Sequence, residues 1–148
     1  MPEKRTVKRA RTAKRQGKSP TTQAGEFVRE EIHHVREGEH GARSAKQAIA
    51  IGLSKARRAG VKLPPPPKTA SERTKRGAKR DSARAGKAAK PSPSRSRAAK
   101  KALAGAPRAA ASHDALSRQA KAAARKRPAS ARKASARKAA KTRARRNA

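Results

Sequence analysis

The sequence predicts a mostly disordered chain that contains one small all-α helical hairpin. Val, Ile, Leu and Phe account for only twelve of the 148 residues, about 8% of the chain and far below the roughly 20% that marks globular compositions. Nine of these twelve lie between Phe27 and Leu63, and five of the nine acids lie between Glu26 and Glu39. Because a chain with little apolar surface and a net charge of +34 does not offset the entropy of folding, we expect order only there.

Composition divides the chain into four segments. Residues 1–18 are a basic disordered arm, residues 19–63 are an αα-hairpin module, residues 64–67 are a polyproline spacer, and residues 68–148 are a low-complexity tail of Lys, Arg and Ala. A run of four prolines favours polyproline II and acts as a stiff spacer. The tail contains the tandem repeat Ser-Ala-Arg-Lys-Ala at 130–139. Its period of five matches neither helix nor strand and predicts a flexible cationic array.

The first helix of the hairpin is predicted near 20–37. Ser19 is suited to the N-cap, and Pro20 at the first helical position loses no donor that the helix needs. Apolar side chains then recur at helical spacing, at Ala24, Val28, Ile32 and Val35.

The second helix is predicted near 45–59. Ser44 and Gln47 fit a capping box, in which Ser caps a free N–H and Gln reaches back. Gly60 stands where a left-handed cap ends a helix. Gly52 and the neighbouring alanines are expected to let the two helix backbones approach closely. A hairpin this small is near the size at which domains need a partner, so we expect either marginal stability or homodimerisation through it.

One stretch of the tail is predicted to form an inducible helix near 113–127. Arg118, Lys121 and Arg125 would share one face of that helix, opposite Leu116 and two alanines. Such a helix is marginal in isolation. Phosphate groups that neutralise the cationic stripe would favour it.

The basic tail predicts a polyanionic partner. Residues 64–148 contain 27 Lys and Arg, and such a density of charge binds nucleic acid by counterion release. A membrane partner is not expected, because the tail offers only Leu103 and Leu116 for insertion. No aromatic residue interleaves the charges, so base stacking is missing and duplex DNA is favoured over RNA. The predicted nucleic-acid contacts are Lys55, Arg57, Arg58, Lys62, Lys100, Lys101, Arg118, Lys121, Arg125, Lys126, Arg127, Arg132, Lys133, Arg137, Lys138, Lys141, Arg143, Arg145 and Arg146.

The only cluster with metal-binding residue types comprises Glu30, Glu31, His33, His34, Glu37 and His40. The second helix supplies neither an acid nor a His, so we predict no metal and no cofactor and interpret the cluster as a solvated acidic face. The chain has no Cys, which removes thiol chemistry and cysteine zinc sites. No catalytic constellation is present, and we do not expect an enzyme.

Two resemblances follow from these residues. The segment Lys46–Gly60, KQAIAIGLSKARRAG, resembles the motif K-Q-A-I-A-I-[AG]-L-S-x-A-R-[KR]-A-G of small uncharacterised bacterial proteins. That resemblance implies a bacterial or phage source and no particular activity. In composition, the tail is similar to the Lys- and Ala-rich tails of linker histones and bacterial histone-like proteins.

The function predicted from the sequence is that of a non-sequence-specific DNA-binding, nucleoid-associated protein of the cytoplasm. Its tail would neutralise backbone phosphates. One alternative is an RNA- or ribosome-associated factor. Another is a protein-interaction module at residues 19–63 that the tail tethers to nucleic acid.

Overall fold

The computed structural model describes residues 2–86 and 92–146, apart from the side chains of Arg95 and Arg146. Within those ranges the chain forms seven α-helices, one 3₁₀ helix and no strand. The α-helices are α1 (Lys4–Arg15), α2 (Pro20–Glu37), α3 (Ala45–Arg58), α4 (Glu72–Ala83), α5 (Pro93–Ala104), α6 (His113–Arg125) and α7 (Ala129–Arg146), and the 3₁₀ helix spans Arg108–Ala111. The chain divides into two units between Ser112 and His113.

The prediction of a mostly disordered chain is wrong. Helix α1 occupies the arm, and α4, α5, α6 and α7 occupy the tail. The physical reason is that Ala, Arg and Lys are among the best helix formers. A chain rich in Ala, Arg and Lys cannot form a large apolar core, but it can still form helices. The five-residue repeat that was expected to be a flexible array lies inside α7.

The two helices of the hairpin occur where they were predicted. Ser19 caps α2 by accepting the Thr22 N–H at 3.4 Å, and Pro20 is its first residue. Helix α2 ends at Gly38, whose φ of 83° lies in the left-handed region. Helix α3 begins after Ser44, which accepts the Gln47 N–H at 3.2 Å.

The predicted capping box at the start of α3 differs in one contact. The Gln47 side chain reaches back, but its Oε1 accepts the N–H of Arg43 at 2.9 Å rather than that of Ser44. The donor satisfied is therefore one residue earlier than the capping-box pattern implies.

The closest approach of α2 and α3 occurs at Gly52. The buried residues of α3 are all small, and they are Ala45, Ala48, Gly52 and Ala56. A Cβ atom on Gly52 would lie 2.6 Å from Cα of Val28 and 3.0 Å from the carbonyl oxygen of Phe27. The two backbones therefore touch, as the sequence predicted.

Helix α1 packs on α2 and completes the core of the hairpin. Its inner face buries Thr6, Ala10 and Ala13. Ala10 joins a cluster with Ala24, Phe27 and Ala56, against which four partly buried residues pack: Val7, Leu53, Val61 and Leu63. The hairpin is therefore not an isolated pair of helices. The argument that the hairpin is too small to be stable alone assumed an isolated pair of helices and therefore no longer supports homodimerisation. Homodimerisation stays a prediction.

Two further segments cover α3 and the end of α2. Helix α4 contacts α3, where Ser54 Oγ donates to Asp81 Oδ2 at 2.5 Å. The 3₁₀ helix buries Ala110 and Ala111 and contacts both α2 and α3. Arg36 Nε of α2 donates to the Ala111 carbonyl at 2.8 Å. Segments that were predicted to be tail thus belong to the first unit.

The second unit consists of α6 and α7. No residue between 113 and 145 is buried. Helix α6 ends at Arg125, two residues before the predicted boundary. The order of this unit therefore comes from helix propensity and local hydrogen bonds, because it has no apolar core.

Among the described residues, no helix is both long enough and apolar enough to cross a lipid bilayer.

Candidate nucleic-acid interface

Helix α7 is cationic on all sides. Its 18 residues include eight Lys or Arg, and every side chain described from Ala129 to Arg145 is at least partly exposed. A repeat of five residues rotates by about 140° around an α-helix, so the two copies of Ser-Ala-Arg-Lys-Ala present their charges in different directions. The predicted contacts on α7 therefore do not share one face. They are Arg132, Lys133, Arg137, Lys138, Lys141, Arg143 and Arg145, and the side chain of Arg146 lies outside the described residues.

Helix α6 carries the cationic stripe that the sequence predicted. Arg118, Lys121 and Arg125 are exposed, and Leu116 is partly buried. Lys126 and Arg127 follow the helix. Arg127 Nη2 donates to Ser135 Oγ at 2.7 Å and to the Ala131 carbonyl at 3.2 Å. This guanidinium therefore links the end of α6 to the first turns of α7.

The predicted contacts at the end of α3 are mostly engaged within the protein. Lys55 is not a surface residue, because its side chain is 14% exposed and its Nζ lies 2.7 Å from Glu31 Oε2. Arg57 Nη2 donates to the Pro64 carbonyl at 3.3 Å. Arg58 Nε donates to the Ser54 carbonyl at 3.3 Å and lies 3.8 Å from Asp81 Oδ1. Only Lys62 of this group is both exposed and without such a contact among the described residues.

The two predicted contacts on α5, Lys100 and Lys101, are exposed. They are adjacent in sequence and therefore lie about 100° apart around the helix. This pair is well separated in sequence from the cations of the second unit.

Helix α1 presents a cationic stripe that sequence reasoning missed. Its outer face carries Lys4, Lys8, Arg11 and Arg15, all exposed. The spacings of four, three and four place these residues on one side of a helix, opposite the buried Thr6, Ala10 and Ala13. Five of the seven residues lining an adjacent open groove of about 950 Å³ are cations of this helix. The signal was available, because the buried small residues of α1 follow the same helical period.

The acidic face of α2 is solvated only in part, with His33 and Glu37 exposed, which corrects the interpretation made from the sequence for its other members. Glu30 is 6% exposed, Glu31 is 0% exposed and His34 is 9% exposed. Lys55 Nζ lies 3.3 Å from Glu30 Oε1 and 2.7 Å from Glu31 Oε2. The prediction failed because it considered α2 without α1 and α3, which cover these side chains.

Glu30 also fixes the start of α1. The Glu3 N–H donates to both carboxylate oxygens of Glu30, at 3.3 and 3.4 Å. A carboxylate at a helix N-terminus satisfies a free donor and interacts favourably with the helix dipole. Glu3 in turn is hydrogen-bonded through Oε1 to His34 Nε2 at 3.0 Å, and this bond lowers the pKa of the Glu3 carboxyl.

An all-helical protein with separate cationic helices is thus the class that the structure defines. Residues 11–69, which span the end of α1, all of α2 and α3 and the proline run, match a family described as a family of unknown function, DUF6496. This agrees with the expected resemblance to an uncharacterised family, and it attaches no activity to the chain. No curated protein and no solved structure matches the sequence.

Proposed function

We propose that the protein binds duplex DNA through its phosphate backbone and associates with the nucleoid as a histone-like protein. The observation that carries this proposal is the charge on α7. Eight cations on a helix of about 27 Å give one positive charge about every 3.4 Å. This is the axial spacing of phosphates along one strand of B-DNA.

Duplex DNA is favoured over single strands because the protein has no aromatic surface for base stacking. Phe27 is the only aromatic residue among Phe, Tyr and Trp, and it is 1% exposed in the core of the first unit. Proteins that bind single strands usually stack bases on exposed aromatic rings. Phosphate contact is the mode of binding that the exposed side chains support.

Binding without sequence preference is favoured by the placement of the cations. Sequence is read by side chains that reach base edges from one face of an element lying in a groove. On α7 the cations point in all directions and the residues between them are mostly Ala. Such a helix neutralises phosphates wherever it lies.

The test is a titration of fluorescein-labelled duplex DNA with the full-length protein, followed by anisotropy at several salt concentrations between 50 and 200 mM. If about 6 to 10 cations contact phosphates, affinity falls by roughly 10³- to 10⁵-fold over that range. Affinity that does not depend on salt would refute phosphate contact as the mode of binding.

Two quadruple variants separate the role of α7 from that of total charge. One replaces four exposed cations of α7 by Gln, at Arg132, Lys133, Arg137 and Lys138. The other replaces four exposed cations of α4 by Gln, at Arg73, Arg76, Lys79 and Arg80. Gln is a good helix former, so both helices are retained. We expect the salt slope to fall for the α7 variant only, by about 0.9 for each replaced cation that contacts a phosphate.

A structured RNA of the same length serves as the competitor. Preferential binding of the RNA would support the RNA- or ribosome-associated alternative and overturn the choice of DNA. Equal weakening by the α4 and α7 variants would show that net charge alone determines affinity.

A further inference from the structure

A group of charged side chains meets where the start of α1, the middle of α2 and the α2–α3 loop come together. Its members contact one another within hydrogen-bond or ion-pair distance, and they are Glu3, Glu30, Glu31, Glu39, His34, His40 and Lys55. We call this group the glutamate–histidine cluster. Its two buried carboxylates, Glu30 and Glu31, share the single ammonium group of Lys55, whereas the side chains of Glu3 and Glu39 are 54% and 56% exposed.

Glu31 is the least compensated member of the cluster. It is 0% exposed, and neither of its carboxylate oxygens makes a hydrogen bond of acceptable geometry. Its neighbours are Lys55 Nζ, 2.7 Å from Oε2, and His40 Nε2, 3.1 Å from Oε1. A buried carboxylate is costly unless it is both paired and hydrogen-bonded. The Lys55 ammonium compensates the charge at Glu31 Oε2, whereas Glu31 Oε1 still requires a cation.

The histidine contacts point to the same position. His34 Nε2 is hydrogen-bonded to Glu3 Oε1 at 3.0 Å, and His40 Nδ1 to the Gly41 carbonyl at 3.2 Å. Because both partners are acceptors, these two nitrogens carry the ring protons. The other ring nitrogens, His34 Nδ1 and His40 Nε2, then carry a lone pair and no proton. His34 Nδ1 then faces Glu39 Oε2 at 3.6 Å, and His40 Nε2 faces Glu31 Oε1 at 3.1 Å.

We propose that the glutamate–histidine cluster is a binding site for a divalent transition-metal cation, with Zn²⁺ as the best match. Glu31, His34 and His40 are the ligands, and their ligand atoms lie within 4.8 Å of one another. Glu39 lies at the edge of this group, with Oε2 3.6 Å from His34 Nδ1 and its side chain 56% exposed. Imidazole nitrogen and carboxylate oxygen are ordinary zinc ligands.

The distances and the surrounding groups suit this metal. The 3.1 Å between Glu31 Oε1 and His40 Nε2 is close to the edge of a tetrahedron around zinc, about 3.3 Å for bonds near 2.0 Å. Glu3 and the Gly41 carbonyl orient the two rings in the way that outer partners orient metal-bound histidines.

The site has a structural role in this proposal. Its ligands come from α2 and the α2–α3 loop, and Glu3 connects it to α1. A bound cation therefore ties together three segments of the first unit.

The four histidines of the chain provide matched variants. His34 and His40 belong to the cluster, with side chains 11% and 20% exposed. His33 and His113 lie outside it, with side chains 66% and 94% exposed. Full-length protein stripped with a chelator is titrated with Co²⁺ by visible absorption and with Zn²⁺ by calorimetry. We expect one ion per chain in the wild type, His33→Ala and His113→Ala.

Loss of a ligand should weaken Zn²⁺ binding by at least about 100-fold in His34→Ala and His40→Ala, since loss of an outer partner alone costs 10- to 100-fold. Should His34→Ala fail to fold, His40→Cys decides the matter, because His40 lies in a loop. Its thiolate would add a sulfur-to-cobalt charge-transfer band to the spectrum. Absence of that band, or equal affinity in all four alanine variants, would overturn the proposal.

Thermal unfolding gives an independent readout. Zn²⁺ at about 100 times its dissociation constant should raise the unfolding midpoint of the wild type by roughly 10 °C. The same addition should leave the midpoint of His40→Ala unchanged. A wild-type midpoint that does not respond to Zn²⁺ would refute the metal site.

Discussion

Replacing Gly52 by Ala should destabilise the first unit, although Ala is the better helix former. An Ala in an open helical position gains about 1 kcal/mol over Gly. At Gly52 the added Cβ would lie 2.6 Å from Val28 Cα and 2.9 Å from Val28 N. Ordinary contact between carbon atoms is about 3.5 to 4.0 Å, so α2 and α3 must separate by about 1 Å.

The cost of that separation exceeds the gain in propensity. Overpacking typically costs about 1 to 3 kcal/mol, and the atoms that would clash with the Gly52 Cβ belong to the backbone, which cannot rotate away. We therefore expect Gly52→Ala to lower the free energy of unfolding by up to about 2 kcal/mol, the cost of overpacking less the gain in propensity. The assay is urea denaturation of the full-length protein, followed by far-ultraviolet circular dichroism.

Gly25→Ala is the matched control. Gly25 lies inside α2, and a Cβ placed there meets nothing within 4 Å. That variant should raise the free energy of unfolding by about 1 kcal/mol, so the two variants should move the denaturation midpoint in opposite directions. Stabilisation of both by the same amount would refute the close contact of α2 and α3.

Three further predictions concern the packed acids, a helix cap and α1. Lys55→Met should destabilise the protein by about 3 kcal/mol or more, because Glu31 would keep a buried charge without its ammonium partner. Lys46→Met, on the exposed side of the same helix, should change stability by less than about 0.5 kcal/mol, and equal urea midpoints for the two would contradict the ion pair. Ser44→Ala should cost about 1 kcal/mol by removing the cap of α3, and Ser44→Asp should restore it in the same denaturation assay. Changing the outer stripe of α1 to Gln, at Lys4, Lys8, Arg11 and Arg15, should reduce the salt slope of DNA binding by about 0.9 for each phosphate that the helix no longer neutralises; an unchanged slope would exclude α1 from the interface.

The hairpin could be predicted from the sequence because its signals are local. Ser19, Pro20 and Gly38 mark the ends of α2, and Gly52 lies on a face that recurs every three to four residues. Apart from α6, the helices of the arm and tail were not predicted, since the lack of an apolar core was taken as a lack of secondary structure. Helix propensity is independent of that core, and Ala, Lys and Arg all possess it.

The candidate metal site shows where sequence reasoning reaches its limit. Glu31 and His34 are neighbours on one helix, and the sequence pattern suggested that a third ligand would have to come from the second helix. In the proposed site the third ligand is His40, which lies in the α2–α3 loop. A loop side chain has no periodic pattern that would place it, because its position depends on the path of the chain between Gly38 and Ser44.

The docking of α1 reverses the sign of the charge along one side of α2. Without α1, that side would present Glu26 and Glu30 to solvent. With α1 in place, Glu30 is covered by the Glu3 N–H, and Glu26 Oε2 lies 4.0 Å from Arg9. The exposed charges on that side then belong to the outer stripe of α1. A polyanion bound there would hold α1 in place, so that occupancy of the surface and order of the first helix would each increase the other.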